Sequence, residues 1–290
     1  MNSCAVVDLG LLGWAEAAAL QERLVIARKA GTIGDTLLLC EHPHTLTLGR
    51  NGNLQNLLAS ESVLRQKGVA FHATNRGGDI TYHGPGQLVG YPILNLAAIR
   101  RDVGWYMRML EEAMIRASAE LGVVAEREPG KTGIWVRAAG RNAADGAAHE
   151  PAVAAPEKLA ALGVHLSRWV TSHGFAYNVS TDLRYFNLIV PCGIAGRQAT
   201  SLEKLLGRSL PPADVAARIT RHFGDMLQLE MRPVPRVQFM PVLEQAERNA
   251  QVASSGPEPL SATKVEASRP AAATLESTTP AVLETLRSNA

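Results

Sequence analysis

The sequence predicts an α/β (α+β) domain with mixed sheets and flanking helices. Short apolar runs punctuated by glycine and proline recur through the first two thirds of the chain. Segments with apolar residues at helical spacing separate some of those runs, and strands in clusters with intervening helices suit a mixed sheet. The 290 residues, 46% of them hydrophobic, are enough to bury a sizeable core.

The elements follow in order. Residues 5–9 read as a strand. Trp14, Ala17, Leu20, Leu24 and Ala27 then recur at helical spacing up to Gly31, which can stop a helix. Residues 36–40 and 45–48 are short strands split by the His42-Pro43-His44 turn, and 60–67 fit a short helix followed by a strand at 69–72. After a glycine-rich stretch, 87–94 read as a buried strand. Asp102 caps the best helix, 103–121, whose stripe is Met107, Leu110, Met114, Ala117 and Leu121, and Gly122 ends it. Strands are expected at 123–125, 133–136, 159–166 and 175–179, then helices at 201–206 and 213–227.

Two segments look foreign to this pattern. Residues 137–157 have low complexity and no period, and they interrupt two strands that would otherwise be neighbours, so a flexible hairpin insertion is expected there. Beyond about residue 241 there are no aromatics and much Ala, Ser, Thr, Pro and Glu. Such a chain buries too little to offset its ordering entropy. The expected organisation is a catalytic domain over 1–237 and a disordered tail over 238–290.

Composition excludes several classes. A net charge of +2, from scattered basic residues, leaves no strong footprint for nucleic acid. No run of about 18 apolar residues suggests a membrane span. The N-terminus reads as a strand rather than a signal peptide. Cys4, Cys40 and Cys192 have no paired spacing, which points to the reducing cytosol.

Three segments could carry chemistry. Arg76-Gly77-Gly78-Asp79-Ile80-Thr81-Tyr82-His83-Gly84-Pro85-Gly86-Gln87 brackets a short strand with glycines. It is either a tight hairpin or a ligand cradle with Arg76 and His83 as polar groups, and its glycine spacing matches no phosphate loop or dinucleotide fingerprint. Cys192 lies between Pro191 and Gly193 at the end of an apolar run, a position that suits a reachable thiol or a buried structural one. Lys158 opens a segment of small and apolar residues in which it is the one charge; it could be a surface lysine or the cation beside a thiol. The histidines at 42, 44, 83, 165 and 173 lack the cysteine pairs or His-Glu-x-x-His helix of a zinc site, so no metal is expected. A Cys-His hydrolase with His83 or His173 as base stays open.

Taken together, several ordered motifs resemble those of the lipoyl(octanoyl) transferase family. They are Glu41-His-Pro-His-Thr-Leu-Thr-Leu-Gly-Arg50, Arg76 to Gln87 continued by Leu88, Lys158-Leu-Ala-Ala-Leu-Gly-Val164, Ser172-His-Gly-Phe-Ala-Tyr-Asn-Val179 and Pro191-Cys-Gly-Ile194. The resemblance spans about residues 4–230. It implies a fold like the catalytic domains of biotin protein ligases and lipoate-protein ligases. It implies transfer of an octanoyl group from octanoyl-acyl carrier protein to a lysine of a lipoyl domain, in the acyltransferase subunits of 2-oxoacid dehydrogenases or the glycine cleavage H protein. By the same resemblance Cys192 matches the thioester-forming cysteine and Lys158 the lysine that activates it. Arg76, Gly77, Gly78, Asp79, Ile80, Thr81, Tyr82, His83, Ala161, Leu162, Gly163, Gly174, Phe175 and Ala176 match the substrate-lining stretches. No cofactor is implied. The rival readings are an ATP-dependent lipoate or biotin-type ligase, which would not need Cys192, a Cys-His thioesterase, and a non-catalytic lipoyl-domain binder. Backbone N–H groups near Cys192 and in the Gly77-Gly78 turn are the expected oxyanion donors.

Overall fold

The computed structural model describes residues 2–137, 155–191 and 198–254, with the backbone alone for 252–254. Its centre is an eight-stranded mixed sheet. The strands in chain order are β1 (Asn2–Leu11), β2 (Asp35–Glu41), β3 (Thr45–Leu48), β4 (Ala70–Ala73), β5 (Ile80–His83), β6 (Gln87–Ile93), β7 (Glu126–Glu128), β8 (Lys131–Val136), β9 (Glu157–Ser167), β10 (Val170–Asn178) and β11 (Leu229–Pro233). The large sheet runs β11-β1-β2-β6-β10-β9-β8-β7, and β4-β3-β5 form a second, small sheet. The pairs of β1 with β2 and β11 are parallel and the rest of the large sheet is antiparallel, so the sheet is mixed as expected.

Among the described residues six α-helices accompany the sheets: α1 (Trp14–Lys29), α2 (Glu61–Gln66), α3 (Val103–Glu120), α4 (Leu202–Leu206), α5 (Pro212–Leu227) and α6 (Arg236–Ser254). Alternation along β2 shows how both faces of the sheet are filled. Leu37 and Leu39 join the core under α3 and α5, with Tyr106, Met114 and Phe223. Leu38 and Cys40 face α1 and α6, with Leu20, Leu24 and Phe239. A strand covered on both faces needs a continuous apolar run rather than an alternating one. Asp102 caps α3 as the sequence indicates, its Oδ1 accepting from the Trp105 N–H at 2.8 Å. Gly122, at φ +84°, follows that helix. Among the described residues no helix is long and apolar enough to cross a membrane.

Two expectations are corrected. The strand foreseen at 123–125 begins instead at Glu126, where pairing with β8 starts opposite Trp135, while the Val123 N–H is taken by Ser118 O in the turn that ends α3. The tail expected to be disordered from 238 is a helix, α6, up to Ser254. Phe239, Leu243 and Ala246, spaced by four and three residues, form one stripe that is at most 3% exposed against α1. Arg23 Nε meets Glu247 Oε1 at 2.6 Å across that contact. The remainder of the tail, 255–290, lies outside the described residues. So does 138–154, most of the expected insertion; the strands on either side of it, β8 and β9, pair with Val136 opposite Glu157.

Candidate active site

An open cleft of about 610 Å³ lies between β9, β10, the N-terminal end of α1 and the glycine-rich loop. Of the residues singled out in the sequence, Arg76, Gly77, Gly78, Asp79, Thr81, His83, Lys158, Ala161, Leu162, Gly163, Gly174, Phe175 and Ala176 line it. Ile80 and Tyr82 do not. On β5 successive side chains alternate, so Thr81 and His83 face the cleft while Ile80 and Tyr82 turn into the core of the small sheet. Cys192 falls in 192–197, outside the described residues. Cys4 and Cys40 are buried free thiols whose burial pushes them well above the ordinary thiol range. Among the described residues no cysteine is therefore poised as a thiolate.

The glycine-rich loop is a close-packed device. Gly77 N–H donates to Val164 O at 3.0 Å, which pins the loop to β9. A Cβ on Gly163 would sit 2.7 Å from Gly77 O, so glycine permits the approach. That Gly77 N–H is already used, which removes it from the expected oxyanion donors. Arg76 closes the loop rather than leaving its guanidinium open to ligand. Nη2 donates to Thr47 O and to Asp79 O, both at 2.7 Å, and to Thr47 Oγ1 at 2.9 Å. Asp79 accepts from Asn53 N–H at 3.0 Å and from the Asn56 amide. Asn56 O in turn accepts from Val190 N–H at 2.7 Å, two residues before Cys192.

A buried polar chain runs beneath the cleft. Thr47 Oγ1–H donates to His83 Nε2 at 3.3 Å, and His83 Nδ1–H donates to Gln87 Oε1 at 2.8 Å. Gln87 Nε2 donates to Asn178 Oδ1 at 2.9 Å, and Asn178 Nδ2 to Thr200 O at 2.9 Å. Burial, aided by the neighbouring His42 and Arg76, pushes the His83 imidazole down to about 3. Burial and Arg76 likewise push His173 down to about 4, and its Nε2–H donates to Asn75 Oδ1 at 2.7 Å. Both imidazoles are neutral at pH 7 and weakly basic. A general base works best with a pKa near the operating pH, so neither suits the role of a Cys-His hydrolase base.

Lys158 sits where strands and cleft converge. It lies opposite Trp135 in the β8–β9 ladder, and its Nζ stands 4.6 Å from the centre of the Trp135 indole. Its backbone N–H donates to Gln198 O at 2.8 Å, and its carbonyl accepts from Thr200 N–H at 2.9 Å. A second, small cavity of about 20 Å³ adjoins the cleft at Lys158, with Trp135, Gln87, Asn178, Pro191 and Gln198 among its walls. The residues just before and just after 192–197 thus both border the cavity of Lys158. Sequence reading missed Trp135, Tyr91, Met107, Gln87 and Asn178 as site residues. An aromatic in the strand ahead of Lys158 was the available signal for Trp135, and Gln87 and Asn178 lie inside motifs already singled out; Tyr91 and Met107 carry none before the fold is known.

The fold is that of the lipoate-protein ligases. The bi-partite lipoate protein ligase of Thermoplasma acidophilum superposes with a TM-score of 0.61 at 13% identity, over 86% of this chain and 92% of that one. A model of the lipoyl protein ligase A/B catalytic domain matches residues 14–224. An octanoyltransferase of Solibacter usitatus is 51% identical over 233 residues, 80% of this chain and 97% of that protein. One from Acidobacterium capsulatum is 51% identical over 205 residues, 68% of this chain and 78% of its own length. The chain belongs to the lipoyl protein ligase A/B catalytic domain family and, within it, to the octanoyltransferases. It is an acyltransferase of protein lipoylation.

Proposed function

We propose that the chain moves an octanoyl group from octanoyl-acyl carrier protein onto Cys192 as a thioester, and from there to a lysine of a lipoyl domain. The acceptors are acyltransferase subunits of 2-oxoacid dehydrogenases and the glycine cleavage H protein. The observation that supports this most is the stitching of Lys158 to Gln198 and Thr200 on one side of the Cys192 segment, with Pro191 on the other side bordering the same cavity.

In the first step the Cys192 thiolate attacks the carrier thioester, and Lys158 protonates the departing pantetheine sulfur. In the second, neutral Lys158 takes a proton from the incoming amine, which displaces Cys192. The acyl chain lies against Val89, Tyr91, Met107, Leu162 and Phe175. At about 0.8 kcal/mol per methylene, six methylenes contribute roughly 5 kcal/mol, enough to favour medium chains over acetyl. Lys158→Met removes the proton carrier but keeps much of the apolar stem. It is expected to slow both half-reactions by about 10²-fold or more in rapid-quench assays with the fold intact. Unchanged rates would remove Lys158 from the mechanism. The ATP-dependent ligase reading predicts instead that Cys192→Ala retains activity with free octanoate and ATP.

A further inference from the structure

A second open cavity, of about 760 Å³, begins where the acyl cleft ends. Ala18, Val25 and Ile26 of α1 flank it, with His165 and Ser172 from the β9–β10 hairpin. The register of β9 with β10 lays the two cavities end to end. The pairs Ala161–Ala176 and Gly163–Gly174 line the acyl cleft, and the next pair on that face, His165–Ser172, lines the second cavity. Among the described residues, Trp14 and His173 are the two that border both cavities. Each is fixed in place. The Trp14 ring, on the first residue of α1, stacks on the His72 ring of β4 at 4.8 Å with 22° between the planes. His173 Nε2–H donates to Asn75 Oδ1 at 2.7 Å, and the His173 backbone N–H donates to Gln21 Oε1 at 2.8 Å. The φ of His173, +55°, is left-handed, a region that residues other than glycine rarely adopt. Such conformations collect at ligand clamps, where the surroundings over-determine them.

We propose that Trp14 and His173 are specificity-determining residues: they form the stop against which the methyl end of the acyl chain rests, and so set the length of chain accepted. This rests on the reading above that the acyl carbonyl reacts beside Lys158. The lengths agree. Lys158 shares its small cavity with Ala161 and Ala176, which are paired across β9 and β10. Three residues further along β9, Val164 is paired with His173, roughly 10 Å of strand away. An extended octanoyl chain, seven carbon–carbon bonds long, spans roughly 9 Å. It therefore ends at Trp14 and His173, and a longer chain meets the indole stacked on His72. With the indole gone, the extra methylenes pass into the second cavity beside Ala18 and Val25. The stop discriminates by space, so its effect belongs in the relative kcat/KM of long and short donors rather than in the chemical step.

The test compares octanoyl- and dodecanoyl-acyl carrier protein as donors to an apo lipoyl domain. In Trp14→Ala the dodecanoyl-to-octanoyl ratio of kcat/KM is expected to rise by about 10- to 10²-fold, since each methylene newly taken out of water contributes about fourfold. His173→Gly opens the other half of the stop with a residue that accepts the left-handed φ, and should raise the same ratio. Adding Ala18→Phe to Trp14→Ala fills the space behind the stop and should return the ratio towards that of the parent. An unchanged ratio in both Trp14→Ala and His173→Gly would overturn the proposal. Equal loss with both donors would overturn it too, by assigning the two residues a structural role. A raised ratio that Ala18→Phe leaves untouched would send the longer chain elsewhere and also contradict it. The reading it rests on fails separately, if the unaltered protein transfers no octanoyl group or if Lys158→Met leaves the rates unchanged.

Discussion

Replacing Asn178 by leucine removes the middle of the buried chain that joins the glycine-rich loop to Lys158. Two partners are affected. Thr200 O loses the donor 2.9 Å away. Gln87 Nε2 loses its acceptor at 2.9 Å but keeps Tyr82 O at 3.1 Å. One buried carbonyl is orphaned fully and one amide in part, at about 1–3 kcal/mol for each full loss, so the expected destabilisation is about 2–4 kcal/mol. For a chain of this size each kcal/mol lowers Tm by about 2–4 °C, so calorimetry should show a fall of roughly 5–15 °C. Thr200 also donates to Lys158 O, so the same variant should slow acyl transfer while leaving the secondary structure in far-ultraviolet dichroism unchanged. A Tm within about 1 °C of the parent would refute the reasoning, because it would mean that the chain contributes no net stability.

Stability should also depend on acid through the buried histidines. An unfolded imidazole binds a proton below about pH 6.5, whereas His83 and His173 refuse it until about 3 and about 4. Stability from these groups is therefore full above pH 6.5 and lost as pH falls towards 4. At pH 5, about 1.5 pH units below the unfolded value, each costs about 2 kcal/mol. Urea midpoints from pH 8 to pH 5 should fall accordingly and should fall less in His173→Gln; a flat profile would contradict the buried neutral assignment. In α6, Phe239→Ala should cost about 3–5 kcal/mol by urea unfolding, since the ring is 3% exposed between α1 and the sheet. A cost below about 0.5 kcal/mol, the range of free surface positions, would return that helix to the tail.

What the sequence made legible follows from how local each signal is. Asp102 announced α3 because a cap needs only its own first turn, and β2 showed as an apolar run because both of its faces are covered. The glycine-rich loop and Lys158 were visible as motifs, yet their geometry was not. Arg76 looks like a ligand group in the sequence, but its donors go to Thr47, 29 residues earlier, and to Asp79, three residues on. Ile80 and Tyr82 share a motif with Thr81 and His83, and only the pleat of β5 separates the pairs. The helix α6 was hidden because its composition is that of a tail and Pro241 interrupts its pattern; its three buried residues have meaning only against α1. Gln87 and Asn178 lie 91 residues apart, and no spacing rule joins them.

The measurement that bears most directly on the account is the intact mass of the protein after exposure to octanoyl-acyl carrier protein, with peptide mapping of any adduct. The account predicts one octanoyl group on Cys192, lost when an apo lipoyl domain is added and absent in Cys192→Ala. Octanoyl transfer to the lipoyl domain by Cys192→Ala at the parent rate, or an adduct mapped to another residue, would contradict it.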